Sequence, residues 1–124
     1  MIELMVVLTI MLVLVTIGVP MYERSILRTR ETALREELFG MRQALALYWE
    51  DKQLRPQSLE ELVSSGYLKV LPRDPITSSN TTWTGVTLQQ SDMVIITNDE
   101  ASGIVEVHSG SKMIGSDGKP YSEW

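Results

Sequence analysis

Residues 1–22 read MIELMVVLTIMLVLVTIGVPMY, and Glu3 is the only formally charged side chain among them. The stretch from Leu4 to Tyr22 carries no formal charge, and about 20 consecutive apolar residues are enough for a helix to cross a bilayer's hydrocarbon core. The stretch therefore predicts a membrane-spanning helix. A carboxylate inside or beside such a helix is unfavourable unless it is neutralised or paired. Glu3 is thus the first candidate functional residue, and an amino terminus is its obvious partner.

Two other interpretations of residues 1–22 fit less well. A cleavable secretory signal needs a basic leader, a shorter apolar core and small residues at the cleavage point, and the stretch has none of these features. A helix at the edge of a soluble core carries an apolar stripe, whereas apolar residues surround this segment on every face. Membrane insertion is therefore the favoured interpretation.

The apolar pattern becomes amphipathic after Tyr22. Apolar residues recur at separations of seven, four, three, four and three, the period of one helical face; they are Leu27, Leu34, Leu38, Met41, Leu45 and Tyr48. Charged residues that include Glu31, Arg35 and Arg42 occupy the intervening positions and predict a charged face. Residues 23–52 are therefore expected to continue the membrane segment as one helix, about 75 Å long at 1.5 Å per residue.

Gly18 and Pro20 are the only helix-weakening residues within the predicted membrane segment. Proline removes a backbone donor and clashes with the preceding turn, while glycine adds local freedom. We expect a kink or a melted turn at this point. It is either an ordinary kink of a membrane helix or a hinge that unwinds when the protein packs into an assembly.

Residues 53–124 are predicted to form a globular head, which begins with a loop containing Pro56 and a short helix. Ser58 and Glu61 have the spacing of a capping box, and Gly66 marks the end of this helix.

The rest of the head is predicted to be an antiparallel sheet and a C-terminal loop. Strand patterns at residues 83–88, 93–97 and 103–107 indicate an antiparallel meander. The segment after them is rich in glycine and serine, yet Tyr121 and Trp124 close it. We expect these two aromatic side chains to anchor the loop in the head. The predicted fold class is α+β, a long kinked helix packed on a small antiparallel sheet.

Chain length, net charge and the cysteine count exclude several classes of protein. A chain of 124 residues supports one modest domain. Its net charge of −5 gives nucleic acid no electrostatic attraction. The chain contains no cysteine, which excludes disulfides, thiolate catalysis and cysteine-ligated metals.

Catalysis is not expected either. His108 is the sole histidine, and it is predicted to be a solvated residue at a strand end. Glu60 with Glu61, and Asp99 with Glu100, are interpreted as solvated charges. The sequence contains no glycine-rich phosphate loop, nucleophile elbow or metal-ligand pattern. We therefore expect a protein that is not an enzyme.

Several features together resemble the type IV pilin superfamily. They are an N-terminal Ile-Glu-Leu, an apolar helix with Glu3 at its head and Pro20 near its end, an amphipathic helix and a small antiparallel sheet. The second half is most similar to the major pseudopilins of type II secretion systems. That similarity rests on the Gly-Tyr-Leu of residues 66–68, the Leu-Pro-Arg-Asp-Pro of residues 71–75, a C-terminal loop with Trp124, and the lack of cysteine.

The chain departs from this family in two places. Mature members begin with phenylalanine four positions before the glutamate, whereas Met1 stands two before Glu3. If the true start lies upstream, two mature residues and a basic leader cut by prepilin peptidase are missing. If the chain starts at Met1, that peptidase and N-methylation have no substrate. In addition, Ile76 and Thr77 replace the aromatic-glycine pair that the family carries after Asp-Pro.

The resemblance implies a subunit of a helical filament, assembled from the bacterial inner membrane with its head in the periplasm. Its helices bundle at the filament core, and its partners are further copies, other pseudopilins and an inner-membrane assembly platform. Glu3, Gly18 and Pro20 would serve assembly. Two alternatives stay open: a type IV pilus subunit for adhesion, motility or DNA uptake, and a single-span anchor for a periplasmic binding domain.

The resemblance also raises one candidate cofactor. Major pseudopilins bind calcium in the C-terminal loop, where this chain offers the carboxylates of Asp117 and Glu123. Calcium generally takes six or more oxygen ligands, and two carboxylates match the family's acidic cluster poorly. An ordinary loop anchored by Tyr121 and Trp124 is the competing interpretation.

Overall fold

A computed structural model of the protein describes residues 1–87 and 103–124. In this part of the chain the elements follow the order helix, helix, strand, strand, with a final 3₁₀ turn. They are α1 Ile2–Lys52, α2 Leu59–Ser64, β1 Thr84–Thr87, β2 Ile104–His108 and the turn Tyr121–Glu123. The α+β fold class and a long N-terminal helix are therefore confirmed. The chain divides into two compact units, residues 1–30 and residues 31–124.

The N-terminal unit is helical from Ile2 onward, and α1 continues through Gly18 and Pro20 without a break in helical structure. Of the kink or melted turn predicted there, the melted turn is not present, and the kink stays a prediction. Two threonine hydroxyls in the apolar stretch donate to backbone carbonyls of their own helix: Thr9 to Met5 at 2.8 Å and Thr16 to Val13 at 2.7 Å. These bonds satisfy polar groups that an apolar environment would leave without a partner.

The apolar side chains of the N-terminal unit face outward. Within the described residues, α1 is the one helix long and apolar enough to cross a membrane, judged by length and composition. Its most apolar window of 18 residues has a mean hydropathy of 2.7, and none of that window is buried by the rest of the protein. The predicted helix is therefore confirmed as one whose length and composition would allow it to cross a membrane.

The C-terminal unit is built around one face of residues 31–52 of α1. Spacings of three and four place the apolar side chains of this face on a common stripe, and all of them are buried: Leu34, Leu38, Met41, Leu45 and Tyr48. Leu27 was predicted to belong to the stripe but is exposed. The opposite wall of the core contains Leu59, Leu62, Trp83, Ile104, Val107 and Tyr121.

Strands β1 and β2 pair as an antiparallel sheet of two strands in the described part of the chain. Thr84 lies opposite His108, and the register becomes irregular between Val86 and Thr87. The predicted strands at residues 83–88 and 103–107 correspond to these two, with small shifts at their ends. The strand predicted at residues 93–97 lies outside the described residues, as do Asp99 and Glu100.

Helix α2 begins without the full predicted capping box but ends at the predicted glycine. Ser58 is its N-cap residue, but its hydroxyl makes no capping bond. Instead the Glu61 carboxylate accepts the backbone N–H of Gln57 at 2.7 Å. At the other end Gly66 has a φ of 84°, and its N–H donates to the Val63 carbonyl at 3.1 Å. The stop signal predicted at Gly66 is therefore confirmed, since this left-handed conformation suits glycine.

We predict that Leu38→Ala strongly destabilises the C-terminal unit. Leu38 is fully buried in the core, and truncating a buried leucine to alanine costs about 2–5 kcal/mol in the free energy of unfolding. The measurement is urea unfolding of the detergent-solubilised chain, followed by the fluorescence of its three tryptophans. Leu47→Ala is the matched control, because Leu47 lies on the same helix but is exposed. Equal unfolding midpoints for the two variants would contradict this description of the core.

Candidate functional site

Glu3 lies in the first turn of α1, surrounded by exposed apolar side chains. The adjacent Ile2 and Leu4 are 80% and 67% exposed. Among the residues that the structure describes, no group forms a hydrogen bond or ion pair with the Glu3 carboxylate. The positive end of the helix dipole favours an acid at this position. Glu3 is therefore an available carboxyl group on a surface of exposed apolar side chains.

Gly18 and Pro20 lie on the same helix, well separated from Glu3. The distance along the helix axis from Glu3 to Gly18 is about 22 Å at 1.5 Å per residue. A Cβ atom added at Gly18 would meet nothing within 4 Å, so no contact among the described residues requires glycine there. Pro20 has no N–H, and the helical bond to the Thr16 carbonyl is therefore missing. The structure does not bring these assembly residues together with Glu3.

The predicted anchors Tyr121 and Trp124 lie in the C-terminal unit. Tyr121 is 1% exposed, and its ring meets that of Trp124 edge to face with centroids 4.9 Å apart. The Arg35 guanidinium lies 4.5 Å from the Trp124 ring centroid, a cation–π distance. Gly115 packs against the Trp124 ring so closely that a Cβ would lie 2.6 Å from it. The loop therefore requires glycine at residue 115.

Glu31 holds the C-terminal loop on α1, although the sequence pattern assigns it to the charged face. It is 3% exposed and accepts three hydrogen bonds: from the Ser116 N–H at 2.8 Å, the Ser116 hydroxyl at 2.5 Å and the Tyr121 hydroxyl at 2.9 Å. The prediction that Glu31 lies on the charged face was therefore wrong. The signal was available, since Glu31 stands three positions before Leu34 and seven before Leu38, on the buried stripe.

The environment of Glu31 favours its charged form. Burial alone raises the pKa of its carboxyl, but the hydrogen bonds from Ser116 and Tyr121, together with the charge of Arg35, outweigh burial and hold the pKa below its ordinary value of 4.5. The hydrogen bond between Glu31 and Tyr121 has the opposite effect on the Tyr121 pKa, which it raises. Burial, followed by the hydrogen bond to Glu31, raises the Tyr121 pKa to about 12.

A second set of bonds ties the loop to β2 and α1. Arg42 forms an ion pair with Glu106 and donates to the backbone oxygens of Val107 at 3.1 Å and Trp124 at 2.6 Å. The Nδ1 atom of His108 lies 2.6 Å from the same Trp124 oxygen. His108 ends β2, as predicted, but it is half-buried and not fully solvated. Sequence spacing could not show this contact, because the two partners are far apart along the chain.

Asp74 is a third anchor that the sequence reasoning did not single out. It is fully buried, and one carboxylate oxygen accepts the N–H of Ile76 at 2.8 Å while the other accepts the hydroxyl of Ser109. Ser109 is buried too. An aspartate that bonds the backbone two positions later is typical of an Asx-turn, so the turn was predictable. The contact with Ser109 was not.

Glu61 was also predicted to be a solvated charge, and this was wrong. Its carboxylate accepts the Tyr48 hydroxyl at 2.5 Å. This hydrogen bond is the largest of the causes that lower the Glu61 pKa, and it is the main cause that raises the pKa of Tyr48 to about 12. The pair joins α2 to α1.

The two candidate calcium ligands line one surface cleft of about 400 Å³. The Asp117 carboxylate accepts the Lys119 N–H at 3.0 Å. Three cationic side chains, those of Arg35, Arg42 and Lys119, line the same cleft. In the described ranges no three His, Asp or Glu side chains come together in a metal-binding group. Three cationic side chains beside two carboxylates make this cleft electrostatically unfavourable for a hard cation, which prefers a set of oxygen ligands.

We predict that Glu31→Gln destabilises the C-terminal unit by about 1–3 kcal/mol, the range for leaving buried polar groups without suitable partners. An amide offers one acceptor oxygen where the carboxylate takes three donors. Urea unfolding followed by tryptophan fluorescence measures the loss. Glu36→Gln, at an exposed position of the same helix, is the control and should leave the midpoint unchanged. A Glu31→Gln variant with an unchanged urea midpoint would contradict the proposed role of this carboxylate.

We further predict that the unfolding free energy falls in acid. Because the folded-state pKa of Glu31 lies below 4.5, its stabilising contribution is complete above that value and is lost as pH falls through the folded pKa. Glu61 acts in the same direction. Urea midpoints measured from neutral pH downward past pH 4.5 should therefore decrease. The decrease should be smaller in Glu31→Gln, and identical pH profiles for the two proteins would refute the assignment.

The structure thus separates the predicted residues into two groups: Glu3, Gly18 and Pro20 in the N-terminal unit, and Tyr121 and Trp124 in the C-terminal unit. Comparisons with models of known protein families, with curated proteins and with solved structures found no match. What the protein does must therefore be inferred from its own residues and contacts.

Proposed function

We propose that this protein is a structural subunit that polymerises into a helical filament of the pseudopilus type, as used by type II secretion systems to export folded proteins across the outer membrane. One observation carries the proposal. The N-terminal part of α1, up to Tyr22, exposes its apolar side chains on all sides and carries a single carboxylate, Glu3.

The exposed apolar surface needs a cover. Burying one large aliphatic side chain is worth about 1.5–3 kcal/mol relative to leaving it in water, and this helix exposes such side chains along its whole length. Lipid and the equivalent helices of other copies are both apolar covers. The apolar surface of the helix is therefore suited both to the membrane and to the filament core, so the helix can move from one to the other.

The carboxyl group of Glu3 makes lipid and filament energetically different surroundings for this helix. An acid near the centre of a membrane helix costs about 2.5–3.5 kcal/mol, and less towards the interface. In a filament its carboxylate can pair with a positive group of a neighbouring copy, where the low dielectric strengthens the attraction. Such a pair favours the assembled state and sets the axial step between subunits.

Gly18 and Pro20 support the same proposal. Small residues allow helices to approach closely in apolar surroundings, and none of the described residues occupies the space beside Gly18. The bond missing at Pro20 lowers the cost of unwinding the helix there during assembly. The proposed location is the bacterial inner membrane with a periplasmic head. Other pseudopilins and an assembly platform are the proposed partners, and prepilin peptidase joins them if the true start lies upstream.

We predict that Glu3→Gln leaves the protein folded and inserted in the membrane but abolishes or disorders filaments. The substitution keeps the size of the side chain and removes the charge that would be paired between copies. Filaments are counted by electron microscopy of cells that express the chain, and membrane fractionation reports insertion.

Glu36→Gln is the matched control, since it removes one carboxylate from an exposed position of the same helix. It should assemble like the parent chain. Normal filaments from Glu3→Gln would disprove the proposed pairing. A chain that stays monomeric in detergent and is indifferent to Glu3 would favour the single-span anchor instead.

A further inference from the structure

We propose that two exposed patches of the C-terminal unit bind each other between successive copies, head to tail. The helix patch is Phe39, Gln43, Ala46, Leu47 and Glu50, and the loop patch is Lys112, Met113 and Ile114. This inference rests on the proposed function and deepens it, because it names the surfaces through which one subunit contacts the next.

The helix patch is one continuous face of α1. Its members follow each other at spacings of four, three, one and three, so they lie on one side of the helix, and all are exposed. Phe39 is 63% exposed and Leu47 51%. The buried stripe of the same helix lies on the opposite side. Phe39 borders the cleft beside the C-terminal loop, but packing within the C-terminal unit leaves more than half of Phe39 and of Leu47 exposed.

The loop patch presents two large apolar side chains on an ordered loop. Met113 and Ile114 are 65% and 63% exposed. Ile114 pairs with Pro120 in an antiparallel bridge, and the Met113 carbonyl accepts the N–H of Tyr121 at 2.9 Å. Because the loop is already held in place, binding through it loses little conformational entropy.

The two patches are offset along α1. Ser116, which closely follows Ile114 in the chain, is bonded to Glu31. Leu47 lies further along the helix than Glu31, by about 24 Å at 1.5 Å per residue. A contact between two different surfaces is heterologous, and its repetition generates either a ring or an open helix. An offset along the helix axis adds a translation at each step, so the repeated contact builds an open filament.

The charges favour this pairing over a symmetric one. Glu50 lies in the helix patch and Lys112 in the loop patch, so the head-to-tail contact brings opposite charges together. Pairing either patch with its own copy offers its charge no opposite charge within the patch, which is less favourable. A second copy of this chain is therefore the occupant that fits both patches.

Disulfide cross-linking tests this contact, because the chain contains no cysteine of its own. The variant carries Leu47→Cys together with Ile114→Cys. Within one copy these positions are too far apart for a disulfide, which requires Cα atoms within about 7 Å. Oxidation of purified filaments with copper phenanthroline should give a ladder of covalent multimers. Each single-cysteine variant should give dimers at most.

Val70→Cys with Ile114→Cys is the control pair, since Val70 is 66% exposed but belongs to neither patch. It should give no ladder. Charge reversal tests the contact without cysteines: Glu50→Lys should reduce the yield of sedimented filaments, and adding Lys112→Glu should restore it.

The outcomes separate this inference from the proposed function. A ladder specific to the first pair, or rescue by the double charge reversal, supports the contact. Filaments that give neither result overturn the contact and leave the filament proposal standing. Failure of the parent chain to form any filament overturns both.

Discussion

The apolar surface of residues 1–22 is the constraint on which the rest of the protein depends. Those side chains are exposed in the isolated chain, and a surface of this size is not stable in water. Such a surface is stabilised where lipid or another apolar surface covers it. Membrane insertion and assembly with further copies are two answers to the same physical requirement, and a filament subunit uses both in turn.

Two glutamates on α1 show how environment decides the role of one chemical group. Glu31 has three fixed donors around it and stabilises the fold as a buried anion. Glu3 has no comparable set of donors among the described residues and stands on an apolar surface. The first carboxylate is satisfied within the chain. The second is the carboxylate that the proposed filament would pair between copies.

The C-terminal loop shows how a small unit without disulfides is held together. With no cysteine in the chain, the loop is fixed by polar ties at separate points: Glu31 to Ser116, Arg42 to the Trp124 oxygen, and Asp74 to Ser109. Each tie joins residues distant in sequence. The same ties order the loop that carries Met113 and Ile114, the two exposed residues of the proposed contact.

Periodicity and composition alone determined the long helix, its end near residue 52, its apolar first part, the stop at Gly66 and two of the strands. These features depend on neighbours close by in the sequence, and such patterns can be seen there. Only the tertiary structure decided which distant groups Glu31, Glu61, Asp74 and His108 contact, because packing brings each of those groups near. A local pattern shows which face of a helix is buried, but it does not show which donors lie across the core.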